Sequence, residues 1–392
     1  MQDKPIKMLN RDYLLILLLT FLYGFNMNLI NPIIAKYATT LGASETVMGI
    51  AVGLFSITAL IARPLTGPLA NNRDKKQMLI LSFMIYIVAS IGYMLFDSIQ
   101  ALLIFRFMHG LGLSLCSALL PTLTCEYVPE NRIGAAIGYF TLAQTIAMAI
   151  APNIGIAITE RFGYSANFMI AGAVSLISVI LAFALKKQSF EIKRLSFSFS
   201  DIVAKGAILP AVLHTLGAMA YSLVSSFIVV YGTQVRGISP ERIGLCFTVY
   251  ALTLIVTRPF LAATENRINE LYIIIFCAAL SMFGMILIGV ASSLWMFILA
   301  MVLMAFGFGV LMPVLQALAI KLVNPDSRAI ANSTFNAGMD IGMGVGPILG
   351  GFAVVYIGYS NTYLFFAVFE ATVIILSIIS RHKLRYEAGK TN

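Results

Sequence analysis

The chain has 392 residues, of which 59% are hydrophobic and only 11% are charged, and its net charge is +9. A soluble domain is about 45–50% apolar and about 25% charged, so this composition excludes a water-soluble enzyme, a secreted disulfide-rich protein and a disordered chain. An outer-membrane barrel is also excluded, because its strands alternate polar and apolar residues and lack long apolar runs. The remaining class is a helical membrane protein that crosses the bilayer many times.

Apolar segments of membrane-spanning length follow one another along the whole chain. A helix needs about 20 apolar residues to cross about 30 Å of hydrocarbon. Twelve segments meet this requirement, at 13–36, 47–70, 77–96, 100–125, 134–159, 165–185, 207–232, 243–263, 270–291, 295–320, 329–355 and 361–380. The first continues as a full span without a signal-peptide cleavage site. We therefore expect an all-α membrane protein with 12 transmembrane helices.

The lysines and arginines predict how these helices are oriented. With the N-terminus inside, nineteen of the 26 basic residues fall in inner segments, four in outer loops and three within spans. Positive residues accumulate on the cytoplasmic side of membrane proteins. We therefore expect a bacterial cytoplasmic (plasma) membrane protein with both termini in the cytoplasm. The positive charge then reflects topology and predicts no nucleic-acid partner.

The chain also repeats itself at an offset of 195 residues. The pairs at this offset include Gly42 with Gly237, Arg63-Pro64 with Arg258-Pro259, Pro152 with Pro347, and Gly163-Tyr164-Ser165 with Gly358-Tyr359-Ser360. Internal repeats determine the architecture of a protein, and parallel repeats in a membrane are related by an axis along the membrane normal. They predict two parallel six-helix halves, 1–185 and 207–392, joined by a basic cytoplasmic linker at 186–206.

Three motifs connect this plan to a known family. The loop at 67–76, the Arg-x-x-x-Gly-x-Gly segment at 106–112 and the glycine-rich segment at 342–351 are similar to signatures of the major facilitator superfamily. The chain resembles that superfamily over essentially its whole length, and its bacterial drug/proton antiporter branch in particular. It departs from the pattern at Asn71, where an Asp is usual, at Asp74, where a Gly is usual, and in span 5, where Ala147 and Ala151 replace glycines of the exporter motif.

The resemblance implies a secondary active transporter that works by alternating access at a site between the halves. We expect proton-coupled efflux (antiport) of a small amphipathic or hydrophobic compound. The alternative is proton-coupled import or export of a polar metabolite such as a sugar, an opine-type metallophore or a lipid precursor. The expected partners are the substrate, protons and the lipid bilayer. We expect a monomer with no cofactor beyond the proton gradient.

An enzyme or a channel is a rival class, but the chain shows no catalytic or metal-ligand spacing and no nucleotide-binding loop. The four cysteines, Cys116, Cys125, Cys246 and Cys277, lie in apolar stretches and are interpreted as packing residues. We therefore predict neither enzymatic activity nor a metal site.

Charged residues inside the spans are rare and expensive, so they are the first candidates for proton coupling. The candidates are Asp340, Arg106, Glu370 and His109. Asp340 is the preferred proton carrier, because a desolvated carboxyl can titrate near neutral pH. Each could instead stabilise helix packing. Arg106 could tune a nearby carboxylate, bind an anionic group or form a structural ion pair.

Polar and aromatic side chains within the spans are candidates for substrate contact or for packing. They are Tyr23, Asn28, Asn31, Ser117, Gln144, His214, Tyr221, Gln316 and Asn336. Residues of the cytoplasmic loops are candidates for an inner gate or for a plain solvated surface. They are Gly67, Asn71, Arg73, Asp74, Lys75, Glu126, Arg132 and Arg328. Small and kinking residues are candidates for close helix contacts, either static or hinging between the halves. They are Pro152, Gly155, Gly342, Gly346, Pro347 and Gly350.

Overall fold

A computed structural model describes residues 8–186, 203–264, 269–324 and 327–384, and within these ranges the regular secondary structure is entirely helical. The first half contains α1 (Arg11–Thr40), α2 (Glu45–Asn72), α3 (Lys75–Leu95), α4 (Ile99–Glu126), α5 (Ile133–Phe162) and α6 (Tyr164–Phe183). The second half contains α7 (Ile208–Val230), α8 (Pro240–Thr264), α9 (Glu270–Val290), α10 (Leu294–Phe306), α11 (Phe308–Lys321), α12 (Arg328–Ile379) and the short α13 (Arg381–Leu384).

The last long helix contains two spans. α12 has 52 residues, but Gly358 inside it has φ 72° and ψ 168°, which are not helical angles. A straight helix of that length would measure ~78 Å, more than twice the thickness of the hydrocarbon layer. We refer to its two parts as α12a (328–357) and α12b (359–379). In the described ranges eleven helices are long and apolar enough to cross a membrane, and with α12 counted as two the twelve predicted spans are found.

Span 10 differs from the prediction of one continuous helix at 295–320. It is interrupted at Gly307, whose ψ of −96° separates α10 from α11. An added Cβ at Gly307 would lie 2.6 Å from the backbone nitrogen of Ser281 and 2.8 Å from the carbonyl oxygen of Cys277. The backbone of α9 therefore crowds the chain at this turn, and only glycine fits there.

The turns between helices repeat in the same way as the sequence. In the described part of the chain, four glycines have positive φ: Gly42 (79°), Gly163 (82°), Gly237 (67°) and Gly358 (72°). They form two pairs, each at the offset of 195 residues. Glycine adopts this conformation without the steric cost that a Cβ imposes, so the repeat preserves the residues that the turns require.

The chain forms two compact units. The first contains residues 1–43 and 54–195, and the second contains residues 44–53 and 196–392. The beginning of α2 thus belongs to the second unit. The predicted linker at 186–206 falls largely on residues 187–202, which lie outside the described ranges, so its bounds stay a prediction.

The packing inside each unit follows the repeat. In the first unit α1 packs against α5, and α3 packs against α4 and α6. In the second unit α7 packs against α12, and α9 packs against α10 and α12. Their cores are built from buried aliphatic and aromatic side chains, such as Ile16, Phe83 and Leu119 in the first and Ile274, Leu315 and Phe335 in the second. Titratable side chains buried in such cores carry the candidate chemistry.

Candidate functional sites in the two units

A cluster around Arg106 lies inside the first unit. Arg106 on α4 is only 1% exposed. Its Nη1 donates a hydrogen bond of 3.2 Å to Oδ1 of Asn31 on α1, and the guanidinium lies 4.6 Å from the ring centroid of Phe55 on α2. It also hydrogen-bonds with the Tyr93 side chain on α3. An amide oxygen and an aromatic face stabilise a cation that the bilayer would otherwise make costly.

His109, the next titratable residue of α4, belongs to the same cluster. It is fully buried, and its ring centroid lies 4.5 Å from that of Tyr86. Its Nδ1 is 3.4 Å from the Tyr93 hydroxyl, whereas its Nε2 has no hydrogen-bond partner among the described residues. The structure therefore brings two of the predicted proton-coupling candidates, Arg106 and His109, together with Asn31. Tyr86, Tyr93 and Phe55 were missed by sequence reasoning, although the seven-residue spacing of the two tyrosines places them on one face of a helix.

Asp340 lies on α12a and is 7% exposed. Helical spacing places it on the same face as Gly344, Pro347 and Gly351. Gly49 of α2 packs against this face, since an added Cβ would lie 3.1 Å from the carbonyl carbon of Pro347 and 3.2 Å from Cα of Gly351. An added Cβ at Gly53 of α2 would likewise lie 3.2 Å from the carbonyl carbon of Gly344. The preferred proton carrier is thus one turn away from the nearer end of a contact between two helix backbones, a contact that sequence reasoning did not identify.

The predicted stripe of Gly342, Gly346 and Gly350 faces α7 instead. An added Cβ at Gly342 would lie 2.6 Å from the carbonyl oxygen of Thr215, and one at Gly346 would lie 2.7 Å from that of Met219. Gly350 is closest to the Leu223 side chain. These three glycines therefore pack two helices of the same unit together.

The corresponding residues of span 5 pack within the first unit. An added Cβ at Gly155 would lie 2.5 Å from the carbonyl oxygen of Leu29 on α1. Ala147 meets α1 at Gly24, where an added Cβ would be 3.1 Å from the alanine Cβ. Pro152 is buried between these two positions. The alanines of the departing motif therefore still allow a close approach of α5 to α1.

Glu370 on α12b is fully buried in the second unit. The hydroxyl of Ser281 on α9 donates a hydrogen bond of 2.7 Å to its Oε1, while its Oε2 has no partner among the described residues. Sequence reasoning singled out Glu370 but not Ser281, because a serine in an apolar helix carries no signal of its own.

The substrate-contact candidates of the first unit have four different environments. Asn31 binds Arg106, as described above. Tyr23 is buried and stacks on Tyr86 with centroids 6.3 Å apart. Asn28 and Ser117 donate hydrogen bonds to backbone carbonyls of their own helices, and Gln144 is half-buried on α5.

In the second unit, His214 is fully buried and lies flat on Phe335, with centroids 4.1 Å apart and an interplanar angle of 2°. Tyr221 stacks on Phe308 at 4.8 Å. Gln316 donates a 2.8 Å hydrogen bond to Asn332, a partner that was not predicted, and Asn336 is half-buried one turn before Asp340. His214 thus occupies the core of the bundle, whereas Asn336 keeps a partly open face.

The described residues of the loop signature at 67–76 make their contacts within the first unit. Asp74 caps α3, accepting hydrogen bonds from the backbone nitrogens of Lys76 (3.0 Å) and Gln77 (3.4 Å). Lys75 forms an ion pair with Glu126. Lys76 donates to two carbonyl oxygens at the end of α6, those of Phe183 and Leu185, at 2.7 Å each.

The other gate candidates are exposed, form an ion pair already mentioned, or lie where side chains are not described. Arg73, Arg132 and Arg328 are exposed. Glu126, another member of the predicted gate set, forms its observed ion pair with Lys75. The side chains of Gly67 and Asn71 lie outside the described part of the structure. The gate function of this set stays a prediction.

Among the described residues, no group of three or more His, Cys, Asp or Glu side chains is placed to hold a metal ion. Three of the four free cysteines are buried, and Cys125 is partly buried.

Comparison with known proteins identifies the family of this chain. The model of the Major Facilitator Superfamily matches residues 16–239 and 210–390. An uncharacterised MFS-type transporter of Methanocaldococcus jannaschii is 22% identical over 381 residues, covering 95% of this chain and 98% of that protein. The uncharacterised MFS-type transporter YhhS of Escherichia coli K12 is 23% identical, covering 86% of this chain and 84% of that protein.

Solved structures of transporters have the same fold at low sequence identity. A POT family transporter in complex with a thioalcohol-conjugated peptide is similar with a TM-score of 0.83 and 15% identity, covering 97% of this chain and 99% of that chain. A bacterial homologue of the human lysosomal transporter Spinster gives a TM-score of 0.81 at 14% identity, covering 96% and 98%. With two repeated helical units and a family model that matches nearly its whole length, the chain belongs to the Major Facilitator Superfamily.

Proposed function

We propose that this superfamily transporter exports a small amphipathic or hydrophobic compound in exchange for protons. The observation that carries the proposal is the position of Asp340, a buried carboxyl on the face of α12a where Gly49 packs against Pro347 and Gly351. A protonatable group beside a contact between two glycine-lined helix backbones can favour either the formation or the separation of that contact, depending on its charge. Glycine contacts in lipid are held by close packing and not by strong polar bonds, so a change in one nearby charge is large by comparison.

The proposed cycle uses Asp340 as the group whose charge changes. A proton from the outer side neutralises the carboxylate and stabilises one conformation; its release to the inner side restores the charge and favours the other. A ligand shifts a conformational equilibrium only by its differential affinity for the two states, and here the proton is that ligand. We place the protein in a bacterial plasma membrane with both termini in the cytoplasm, in line with the distribution of its basic residues.

The direct test is proton exchange in reconstituted liposomes. Protein is inserted into vesicles with an acidic interior and an entrapped pH dye, and compounds from an amphipathic panel are added outside. Antiport predicts that an accepted compound enters while protons leave, so that the interior becomes more alkaline. Compound uptake without any proton movement would contradict the proposal, and compound and protons entering together would support a symporter.

Asp340→Asn separates the role of this carboxyl from transport in general. The variant should fold normally, bind the compound and lose the response to the proton gradient. Glu160→Gln is the matched control, because Glu160 lies at the outer end of α5 in an exposed ion pair with Lys36. Asp340 has no coupling role if its amide variant retains full proton-driven exchange.

A second candidate function is transport of a polar metabolite that carries an anionic group. The observation in its favour is the buried Arg106 with Asn31 as a hydrogen-bond partner. A guanidinium binds carboxylate or phosphate oxygens through two parallel hydrogen bonds. A panel containing organic anions distinguishes the two candidates: uptake confined to anionic compounds, and lost in Arg106→Lys, favours the second.

A further inference from the structure

Glu370 lies in a buried pocket between three helices of the second unit. The carboxyl is fully buried, with one oxygen bound to Ser281 and the other without a partner among the described residues. An added Cβ at Gly217 on α7 would lie 3.8 Å from Oε1. The Glu370 carboxyl therefore lies within van der Waals reach of the α7 backbone at this glycine, between α7, α9 and α12b. We call Glu370, Ser281 and Gly217 the Glu370 pocket.

The helices around the pocket supply no permanent positive charge to Glu370. Among the described residues of these helices, Cys277 on α9 interacts with the carboxyl electrostatically, and His214 lies one turn before Gly217 on α7. Span 10 contributes Met304 and Phe308, neither of which titrates. The basic residues of α13 begin at Arg381, about three turns beyond Glu370, and Arg381 is exposed.

A charged carboxylate in this pocket would be expensive. It would keep one neutral hydrogen-bond donor and no counter-charge from the described helices, and a buried charge without compensation is strongly disfavoured. The acid that bears its proton avoids this cost. The pocket therefore suits a carboxyl that holds a proton until water reaches it.

Ser281 links the carboxyl to the break in span 10. Its hydroxyl binds Glu370, and its backbone nitrogen lies where a Cβ at Gly307 would be only 2.6 Å away. The Ser281 hydroxyl also lies 3.4 Å from the Met304 sulfur on α10. One residue of α9 thus touches both the titratable group and the interruption between α10 and α11. Interrupted helices in transporters commonly line ion and substrate sites.

The crossing of the third and fourth spans has a titratable group beside it in the first unit as well. Gly112 and Gly307 are 195 residues apart, as are Tyr86 and Ser281. An added Cβ at Gly112 would meet the Tyr86 ring at 2.7 Å, just as one at Gly307 would meet Ser281. In the first unit, Tyr86 packs against His109. Each unit therefore buries a titratable side chain beside the crossing of its third and fourth spans: His109 comes from the fourth span itself, and Glu370 comes from the sixth span of its unit.

From this arrangement we propose that Glu370 is a proton-binding site within the second unit and that its protonation is coupled, through Ser281, to the bend of span 10 at Gly307. The carboxylate takes one proton from water and returns it to water when the bend changes. This inference extends the proposed proton-driven export. It rests on that proposal only for how the bound proton is used in transport. Binding of the proton itself requires no substrate.

The protonation of Glu370 is tested directly by infrared spectroscopy of the purified protein in lipid. Wild type should show the C=O stretch of a protonated carboxylic acid that persists at neutral pH. Glu370→Gln, in which the side-chain carbonyl can still accept from Ser281, should lose this band, and Asp340→Asn should retain it. Ser281→Ala should retain the band but shift it to higher wavenumber, because its C=O loses a hydrogen bond. A band unchanged in Glu370→Gln, or none in wild type, would overturn the assignment.

The coupling is tested with the protein's own fluorescence. The chain has a single tryptophan, Trp295 at the beginning of α10, which is 76% exposed. Its emission and its quenching by brominated lipids should change with pH in wild type. The change should be lost in Glu370→Gln and in Ser281→Ala, and kept in Asp340→Asn. A response that survives in Glu370→Gln, or that follows sodium at constant pH, would refute the coupling.

The two proposals fail separately. If compounds move without proton exchange while the Glu370 band is present and pH-sensitive, the export mechanism is wrong and the proton site stands. If proton-coupled export is measured and Glu370→Gln leaves both the band and the Trp295 response intact, the proton site is wrong and the export mechanism stands.

Discussion

Replacement of Gly342 by alanine tests whether the glycine stripe of α12a stabilises the second unit. The added Cβ would lie 2.6 Å from the carbonyl oxygen of Thr215 and 3.0 Å from the backbone nitrogen of Met219. Both are backbone atoms of α7, so no side chain can rotate away. To restore an ordinary contact of about 3.4 Å or more, the two helices must separate locally by ~0.8 Å.

The expected cost follows from that displacement. A gap of about 0.5–1 Å removes a quarter to a half of the dispersion energy of the contacts involved, and overpacking of a close-packed interior costs about 1–3 kcal/mol. Alanine gains about 0.5–1 kcal/mol over glycine from its higher helix propensity. We therefore expect Gly342→Ala to lower the free energy of unfolding by about 1–2 kcal/mol.

The control is Gly138→Ala on α5, where an added Cβ would meet no atom within 4 Å. Only the propensity gain acts there, so this variant should be as stable as wild type or slightly more stable. Steric trapping in bicelles measures the free energy of unfolding of both variants under native conditions. The reasoning is refuted if the two alanine variants have the same stability, since they differ only in the space available.

Four further predictions concern the capping residue, the Arg106 cluster, the ion pair and the topology. Asp74→Ala should destabilise the first unit by about 1 kcal/mol through loss of the α3 cap, and Asp74→Asn by much less, as measured by the same unfolding assay; equal losses would contradict the capping role. If the second candidate function is correct, Asn31→Asp places a carboxylate beside Arg106 and should abolish uptake of anionic compounds, whereas Asn28→Asp, whose amide donates to a carbonyl of its own helix, should retain it. A double-mutant cycle on Lys75 and Glu126 should give a coupling energy of about 0–1 kcal/mol that falls with salt. In a cysteine-free background, an impermeant maleimide should label Ser292→Cys from outside intact cells and Asn131→Cys only after lysis, and the opposite pattern would overturn the predicted orientation.

Turns and helix ends could be predicted because their causes are local. Gly163 and Gly358 occupy equivalent positions of the repeat, and each has the positive φ that a tight connection between two spans requires. Asp74 departs from the family pattern, yet an aspartate directly before a helix is a strong capping signal. In both cases a short segment and the conformational preference of one residue determine the structure.

Partners across the bundle could not be predicted in this way. Arg106 and Asn31 are 75 residues apart, and Glu370 and Ser281 are 89 apart. Hydropathy shows that such residues must avoid lipid, but it does not show which neighbour satisfies them. The break at Gly307 could not be predicted either, because an equally crowded glycine at the equivalent position does not interrupt its helix. Gly112, its equivalent in the repeat, lies in an uninterrupted helix.

The comparison of the two units suggests where the chemistry of this protein resides. The repeat preserves the turn glycines and the small residues at helix crossings, so both units are built in the same way. Beside the crossing of the third and fourth spans, however, the first unit buries Arg106 and His109, and the second buries Glu370. One unit therefore presents cationic and imidazole chemistry where the other presents a carboxyl. A proton gained by the second unit removes a negative charge, whereas a proton gained by His109 would add a positive charge beside Arg106. Because the scaffold is shared, the electrostatic difference between the two crossings must come from these few side chains.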